Sequence, residues 1–475
     1  MSLRFDDYRA FDAVGLAQAI QRGELHPGEV LDAALDRLHA VNPRINAITH
    51  LDEAAVEAAR QAPATGPLGG VPYFIKDLHA PVRGMPLTHG SRLFAQQRLD
   101  FDSETVARLR RAGLRILGRT ASPEFGMSPS TEPALTGPTR NPWNLERTAG
   151  GSSGGAAAAV AAGIVPAAHA TDSGGSIRIP AACNGLVGLK PTRGLLPTGP
   201  HRGDATHGLS HEHAVTRSVR DCAALLDATA GPDAGAPYFT PAPAQPFLRL
   251  IDTPPRRLRI AFTLQTFRQR PVHPESARAV RHAVALLEAM GHEMREGAPA
   301  FDADALGSAT GTLLLTGLAA QVQAREAALG RPAQEDELEP LTWLAARQGR
   351  TVSGIAYASQ FARINQEVRR IGRFFEDIDV LVTPTLAAPP VALGTLSTQT
   401  HTLASFQEAC AAFCPFTGAF NATGQPAMSL PLHWTADGLP LGVQLVGRFA
   451  DDATLLQLAA ALERAAPWFH RTAPL

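Results

Sequence analysis

The sequence has few cysteines and no excess of charge of either sign. Four cysteines in 475 residues are too few for a disulfide scaffold, and Cys410 with Cys414 alone is not a zinc motif. The net charge is −1, from 43 basic and 44 acidic side chains. This balance argues against nucleic acid or an anionic membrane as a partner. We therefore expect no metal, no cofactor and neither of those partners.

Long apolar runs are also missing. The N-terminus lacks the basic segment and apolar core of a signal peptide. The longest apolar candidate, residues 156–170, is interrupted by Gly163 and Pro166, and no run approaches the ~20 residues of a membrane span. These features predict a cytoplasmic protein.

Helical and strand-like patterns alternate along the chain. Apolar residues at helical spacing predict a helix from about Val30, ended by Asn42-Pro43. The run VPYFI predicts a buried strand with Lys76 at its exit. Further strands are predicted at 114–118, 258–263 and 381–386, and further helices at 103–112, 276–290 and 319–329. Such alternation predicts an α/β fold with helices on both faces of the sheet. The Pro-rich segment 231–255 by itself is typical of a linker.

Two serines lie within a glycine-rich stretch at residues 148–163, TAGGSSGGAAAAVAAG. The alanines predict a short helix over 155–163, and the following IVPAAHA predicts a strand that runs back. Such a hairpin brings a second glycine-serine loop, residues 171–176, beside Ser152 and Ser153. The sequence therefore predicts two facing serine loops.

Three interpretations of the first loop are open on these residues alone. Glycine and serine are typical of plain turns. Gly150–Gly154 matches the G-x-S-x-G elbow, but no apolar strand precedes it. A phosphate loop needs a following Gly-Lys-Ser/Thr, which is missing. In the second loop, successive N–H groups suit an oxyanion, and Ser176 suits a nucleophile that still needs a base.

Three motifs of the chain are considered together: FIKDLH around Lys76, AGGSSGGAAAAVAAG around Ser152, and TDSGGSIRIPAACNGLVGLKPTRG from residue 171. In order and spacing they resemble the amidase signature family of serine hydrolases. The resemblance continues through STEPALTGPTRNPWN, TRSVRDCAALLDATAG and the C-terminal FNATGQPAMSLPLHWTADGLPLGVQLVGR. It implies one amidase domain over residues 1–475, built on a central mixed β-sheet, and so overrides the linker interpretation. The signature core is expected at about 66–232, and a divergent region that shapes the substrate site at about 236–418.

The resemblance also implies residue roles. Ser176 is similar to the family's nucleophile, Lys76 to its base, and Ser152 to the serine that bridges them after a cis peptide bond from Gly151. The oxyanion hole is expected from the N–H groups of Ser173, Gly174, Gly175 and Ser176, and the substrate site includes Gly126, Met127 and Ser128. No role is assigned to Ser153 or His79.

Physical chemistry sets a requirement for the lysine. A base must be neutral near pH 7–8, whereas an ordinary lysine has a pKa of ~10.4. Burial lowers the pKa of an amine, and the apolar run before Lys76 leads it into a core. Asp172 and Arg178 flank the nucleophile loop and are expected to form an ion pair.

Other candidates have more ordinary interpretations. His207, His211 and His213 lack metal-site spacing and are expected to be loop histidines. An apolar pocket in the divergent region has as its candidates Phe301, residues 313–315, Trp343, Tyr357 and Phe413, with core packing as the alternative for most of them.

The function implied is hydrolysis of a linear or cyclic amide bond in a small carboxamide, through an acyl-enzyme. The alternative is the glutamine-hydrolysing subunit of a tRNA-dependent amidotransferase. That branch carries a Ser-Leu-Asp-Gln-type segment where this chain has GLSHEHAVTRSVRD. Other stretches are most similar to stand-alone amidases, including hydrolases of the cyclic 6-aminohexanoate dimer. Whether two copies form a homodimer is left open.

Overall fold

The computed structural model describes residues 3–204 and 206–475. Over these residues the chain forms an α/β domain in which helices flank a large mixed β-sheet. The predicted fold class is therefore confirmed. Strands from both sides of the Pro-rich segment 231–255 lie in this one sheet, so that segment does not separate two sheets. The limits of the signature core and of the divergent region stay predictions.

The strands described are β1 (Ile48–Leu51), β2 (Pro72–Lys76), β3 (Arg115–Thr120), β4 (Arg140–Asn141), β5 (Asn144–Thr148), β6 (Ala167–Asp172), β7 (Val187–Lys190), β8 (His211–Thr216), β9 (Arg259–Phe262), β10 (Glu293–Glu296), β11 (Val380–Pro384), β12 (Ala427–Trp434) and β13 (Pro440–Gly447). The α-helices described are α1 (Phe5–Arg9), α2 (Ala13–Gln21), α3 (Pro27–Ile45), α4 (Glu53–Gln61), α5 (Glu104–Arg111), α6 (Gly154–Ala161), α7 (Arg178–Asn184), α8 (Val219–Thr229), α9 (Phe247–Leu250), α10 (Pro274–Ala289), α11 (Ala303–Leu329), α12 (Pro340–Arg350), α13 (Gly354–Asp377), α14 (Leu403–Phe413), α15 (Gly418–Thr423) and α16 (Asp452–Ala465). Short 3-10 helices lie at Arg92–Phe94, Glu124–Gly126 and Glu335–Glu337.

The large sheet has eight strands in the order β10-β9-β11-β13-β12-β7-β8-β6. Strands β10, β9 and β11 are parallel to one another, and each later pair in this order is antiparallel. A second sheet has the order β1-β3-β2, and its β2 packs beside β6 at the end of the large sheet. This contact brings the end of β2 to the end of β6.

Side-chain alternation divides the central strands between two cores. Ile260 and Val380 pack with α8, α10 and α16 on one face of the sheet. Their chain neighbours Ala261 and Leu381 pack with α11, α13 and α15 on the other face. Because both faces are covered, strands such as β9 and β11 are apolar at successive positions rather than at every second one.

Most predicted elements are present with shifted ends, but one helix end is wrong. Helix α3 does not stop at Asn42-Pro43 but continues through Pro43 to Ile45. Pro43 lies in the last turn, where a missing N–H removes only one helical hydrogen bond. The Asn42 side chain accepts hydrogen bonds from the N–H groups of Ala47 and Ile48, which fixes the chain as it leaves the helix.

Helix α11 is much longer than the predicted helix over 319–329, and it begins at Ala303. By length and composition alone it is apolar enough to span a membrane, a test that core helices of soluble proteins also pass. From the sequence no membrane span is expected, because no uninterrupted apolar run approaches ~20 residues. In this structure α11 packs against α12 and α13.

The predicted ion pair is confirmed, and it connects distant parts of the chain. Arg178 donates two hydrogen bonds to Asp172, of 2.9 and 3.0 Å, and both side chains are fully buried. The same guanidinium donates to the Thr417 carbonyl, to Asn421 Oδ1 and to Gln444 Oε1. Since these acceptors lie beside or within α15 and on β13, the pair fixes the C-terminal elements against the end of β6.

Replacing Arg178 by alanine should destabilise the protein strongly. The substitution leaves the buried Asp172 carboxylate without its counter-charge, and breaking a buried pair in this way costs about 3–5 kcal/mol. Urea unfolding measures this loss. Arg350→Ala is the control, because its pair with Glu326 is partly exposed and should contribute about 1 kcal/mol or less. Equal losses in the two variants would contradict the structural role given to Arg178.

Candidate active site

Lys76 is the last residue of β2, and its side chain is completely buried. Its Nζ donates hydrogen bonds to Ser152 Oγ at 2.7 Å and to Thr171 Oγ1 at 2.9 Å. Burial lowers the pKa of this amine well below 10.5, and the negative charges of Asp172 and Glu212 oppose that shift only in part. The environment therefore favours the neutral amine, which is the form that accepts a proton.

The first serine loop lies between β5 and α6. The peptide bond between Gly151 and Ser152 is cis, as the resemblance implied. A Cβ on Gly151 would lie 2.5 Å from the carbonyl oxygen of Ser128, so only glycine fits there. Ser153 Oγ donates to the Thr171 carbonyl and accepts from its N–H, at 3.2 and 3.3 Å. The two serine loops therefore face each other, as the hairpin of α6 and β6 predicted.

The strand before this loop differs from that of a nucleophile elbow. Strand β5 alternates between exposed and part-buried residues and forms a two-stranded ribbon with β4, outside the large sheet. An elbow serine follows a strand of the central sheet instead. The G-x-S-x-G match is therefore not an elbow in its structural context.

The second serine loop is fixed by the Asp172 carboxylate. This carboxylate accepts the N–H of Gly175 at 2.6 Å and that of Ile177 at 3.2 Å. Burial opposes its ionisation, but the charge and hydrogen bonds of Arg178 keep the pKa of Asp172 below its ordinary value. Gly175 has a φ of +133°, and a Cβ there would lie 2.4 Å from Thr417 Oγ1. The loop is thus held by an anion on one side and packed against α15 on the other.

Ser176 is half-buried between the two residues that Asp172 holds. Of the other predicted oxyanion-hole residues, Ser173 is half-buried and Gly174 is exposed. The Gly175 N–H, which was also predicted to face the oxyanion, is donated to Asp172 in this structure. The oxyanion hole therefore stays a prediction.

The three predicted substrate-site residues have different surroundings. Gly126 has a φ of +70°, and a Cβ there would lie 3.1 Å from Ser152 Oγ, so its backbone adjoins the bridging serine. Met127 packs beside an apolar cluster that includes Phe125. Ser128 is buried, and its hydroxyl donates to the Leu396 carbonyl at 2.9 Å. Their contact with a substrate stays a prediction.

Two residues that lie close to Lys76 were not predicted from the sequence. Thr171 supplies the second acceptor for the amine, yet a threonine at the end of a strand carries no distinctive signal. Glu212 lies opposite Thr171 in the antiparallel pairing of β6 and β8. The segment that contains Glu212 departs from the pattern of the amidotransferase branch, but that departure did not indicate a role for the carboxylate.

His79, three residues after Lys76, is also buried near the site. Its Nδ1 lies 3.1 Å from Arg202 Nη2. Burial lowers the pKa of His79 well below 6.5, and the charges of Arg202, His89 and Lys76 lower it further. The ring is therefore held neutral beside a guanidinium.

The histidines of the THGLSHEH segment do not converge. His207 Nδ1 contacts the Tyr357 hydroxyl at 2.8 Å, His211 Nδ1 contacts the Leu209 carbonyl, and His213 Nε2 lies 3.3 Å from Cys222 Sγ. Within residues 3–204 and 206–475, no three His, Cys, Asp or Glu side chains are arranged as metal ligands.

Of the candidate pocket residues in the divergent region, Leu313 and Phe413 belong to buried clusters, which agrees with core packing. Phe301 packs against the Phe267 ring, and Trp343 packs beside the cluster around Phe125. The Tyr357 hydroxyl forms a hydrogen-bond contact with the His207 ring, which lies outside the divergent region. These contacts give no direct indication of a substrate pocket.

Comparison with known proteins shows the family of the chain. The family described as Amidase matches residues 29–456. The 6-aminohexanoate-cyclic-dimer hydrolase of Paenarthrobacter ureafaciens is 37% identical over 477 residues, covering 97% of this chain and 96% of that protein. A solved structure of 6-aminohexanoate cyclic dimer hydrolase has a TM-score of 0.93 at 36% identity, covering 98% of this chain and 99% of the other.

A more distant match is a chain of the glutamyl-tRNA(Gln) amidotransferase of Thermotoga maritima. Its TM-score is 0.79 at 25% identity, covering 97% of this chain and 96% of the other. Both the matched residues and the identity to the hydrolases extend over nearly the whole chain. The chain belongs to the amidase family.

Proposed function

We propose that this chain hydrolyses the C–N bond of a small carboxamide with Ser176 as nucleophile, Ser152 as bridge and Lys76 as base. The observation that carries the proposal is the 2.7 Å hydrogen bond from the buried Lys76 amine to Ser152 Oγ. The loop that presents Ser176 follows directly on β6, whose Thr171 holds the same amine. A serine needs such a base to become nucleophilic.

Acylation begins when Ser176 Oγ attacks the carbonyl carbon of the amide. The Ser176 proton passes to Ser152 Oγ as the Ser152 proton passes to Lys76, which becomes an ammonium. The oxyanion receives hydrogen bonds from N–H groups of the loop over 173–176. The C–N bond then breaks as the proton returns through Ser152 to the leaving nitrogen, and an ester remains on Ser176.

Deacylation repeats the proton transfers with water in place of Ser176. Lys76 accepts a proton from water as the water oxygen attacks the ester carbonyl. The bond from the acyl carbon to Ser176 Oγ breaks, the acid leaves, and Ser176 recovers its proton. Amine and acid are the products, and no group other than the substrate and water is consumed.

The substrate class proposed first is a cyclic amide. Support comes from the hydrolase of Paenarthrobacter ureafaciens and from the solved structure of a 6-aminohexanoate cyclic dimer hydrolase, which match along almost the whole chain. The glutamine-hydrolysing role is the alternative, supported by a match of lower identity. We propose further that the chain acts in the cytoplasm, without cofactor, nucleic acid or membrane.

The purified chain alone should hydrolyse the cyclic 6-aminohexanoate dimer to its linear form, detected by mass spectrometry. Lys76→Ala and Ser176→Ala should each lower the rate by roughly 10⁴-fold or more, because the triad acts as a unit. Ser308→Ala, on an exposed position of α11, is the matched control and should retain full activity. Hydrolysis of glutamine but of no other linear amide and no cyclic amide would favour the amidotransferase role instead.

The pH dependence of kcat/KM should follow the protonation of Lys76. Only the neutral amine accepts the proton, so the rate rises with pH through the lysine pKa and then levels off. Because burial lowers that pKa, the rise should lie well below pH 10.5. A rise centred near pH 10.5, with chemistry rate-limiting, would contradict a buried and neutral Lys76 as the base.

A further inference from the structure

The backbone pairing of β6 and β8 places a carboxylate on the same face as the lysine contact. Thr171 and Glu212 are directly opposite in this antiparallel pair. Side chains of such a pair lie on one face of the sheet, with their Cβ atoms about 4.5–5.5 Å apart. Since Lys76 Nζ donates to Thr171 Oγ1, the Glu212 side chain stands beside the residue that holds the amine.

The charged groups around Glu212 come from each neighbouring element. On β6, His169 lies on the same face, and its Nε2 is 3.4 Å from Glu212 Oε2. Arg202, from the loop before β8, contacts His79, and the charge of Glu212 acts on this guanidinium. The charge of Glu212 also acts on Lys76, at the end of β2. The Glu212 side chain is only 12% exposed, so water screens these charges weakly.

The charge of the other carboxylate near Lys76, that of Asp172, is balanced by a fixed cation. Asp172 is paired with Arg178 and accepts further hydrogen bonds from Gly175 and Asn421. Glu212, by contrast, has no Lys or Arg within salt-bridge distance among the described residues; its partner there is the His169 ring, which is charged only when protonated. The charge of Glu212 is therefore less compensated by a fixed cation. It adds to the charge of Asp172, which has the larger effect on Lys76.

We propose that Glu212 is a positioning residue of the reaction, whose carboxylate stabilises the ammonium form that Lys76 takes while it holds the proton of Ser176. This inference rests on the proposed function of Lys76 as base. Burial favours the neutral amine before attack, and Glu212 limits the cost of charging it afterwards. The burial and the counter-charge together keep the lysine able to both accept and return a proton.

The chain offers a direct measurement, because Lys76 and Lys190 are its only two lysines. Protein labelled with 13C at lysine Cε should give two side-chain signals, and Lys76→Met assigns them by removing one. In Glu212→Gln the titration midpoint of Lys76 should fall by about one pH unit, since an opposite charge has been removed. The rising limb of kcat/KM should move by the same amount. Glu212→Asp keeps the negative charge and should therefore keep the Lys76 midpoint close to that of the wild-type protein.

A control variant tests whether loss of any part-buried carboxylate has this effect. Glu463→Gln removes one that accepts the Val219 N–H at another place in the fold, and it should leave the Lys76 midpoint unchanged. If Glu212→Gln fails to fold, Glu212→Ala removes the same charge with a smaller side chain. It should lower the Lys76 midpoint in the same direction.

An unchanged Lys76 midpoint in Glu212→Gln, or in Glu212→Ala where the first variant does not fold, would overturn the inference. The NMR titration needs no substrate, so the two proposals fail separately. An active enzyme whose midpoint does not respond to Glu212 retains the proposed function and loses this inference. A responsive midpoint in a protein that hydrolyses no amide supports the electrostatic coupling and contradicts the proposed function.

Discussion

The burial of the Lys76 amine determines the charge state of this site. Lys76 lies at the end of an apolar strand, where an ammonium is poorly solvated and a neutral amine is favoured. Its two hydrogen-bond acceptors are hydroxyls, Ser152 and Thr171, and neither carries a charge. The nearby carboxylates act only from a distance. A proton acceptor is thus maintained without an ion pair that would hold the amine permanently charged.

The shape of the second serine loop, residues 171–176, has a separate origin. Asp172 binds two backbone amides of the loop, and Arg178 binds Asp172 together with residues of the C-terminal part. Asn421 and Gln444 are more than 200 residues distant in sequence but contact the same guanidinium. The loop geometry is therefore set by the docking of the C-terminal elements, and its charge pattern by a pair that is fully buried.

Local patterns predicted the elements that carry the site, because each depends on neighbouring residues. The apolar run before Lys76 and the alanine helix after Ser153 are examples. The triad assignment came from motif resemblance, and the Lys76–Ser152 contact agrees with it. The order of eight strands and the pairing of Thr171 with Glu212 depend on contacts between distant segments, so no local pattern indicated them. The predicted end of α3 is wrong because a proline breaks the interior of a helix, whereas Pro43 lies in the last turn of α3.

The proposed triad of Ser176, Ser152 and Lys76 is tested most directly by identifying the activated serine. Treatment of the purified chain with a fluorophosphonate, followed by peptide mass mapping, requires an activated serine but no known substrate. We expect modification of Ser176 in the wild-type chain and loss of that modification in Lys76→Ala. Modification of Ser152 or Ser153 instead, or equal modification of Ser176 without Lys76, would contradict the proposed triad.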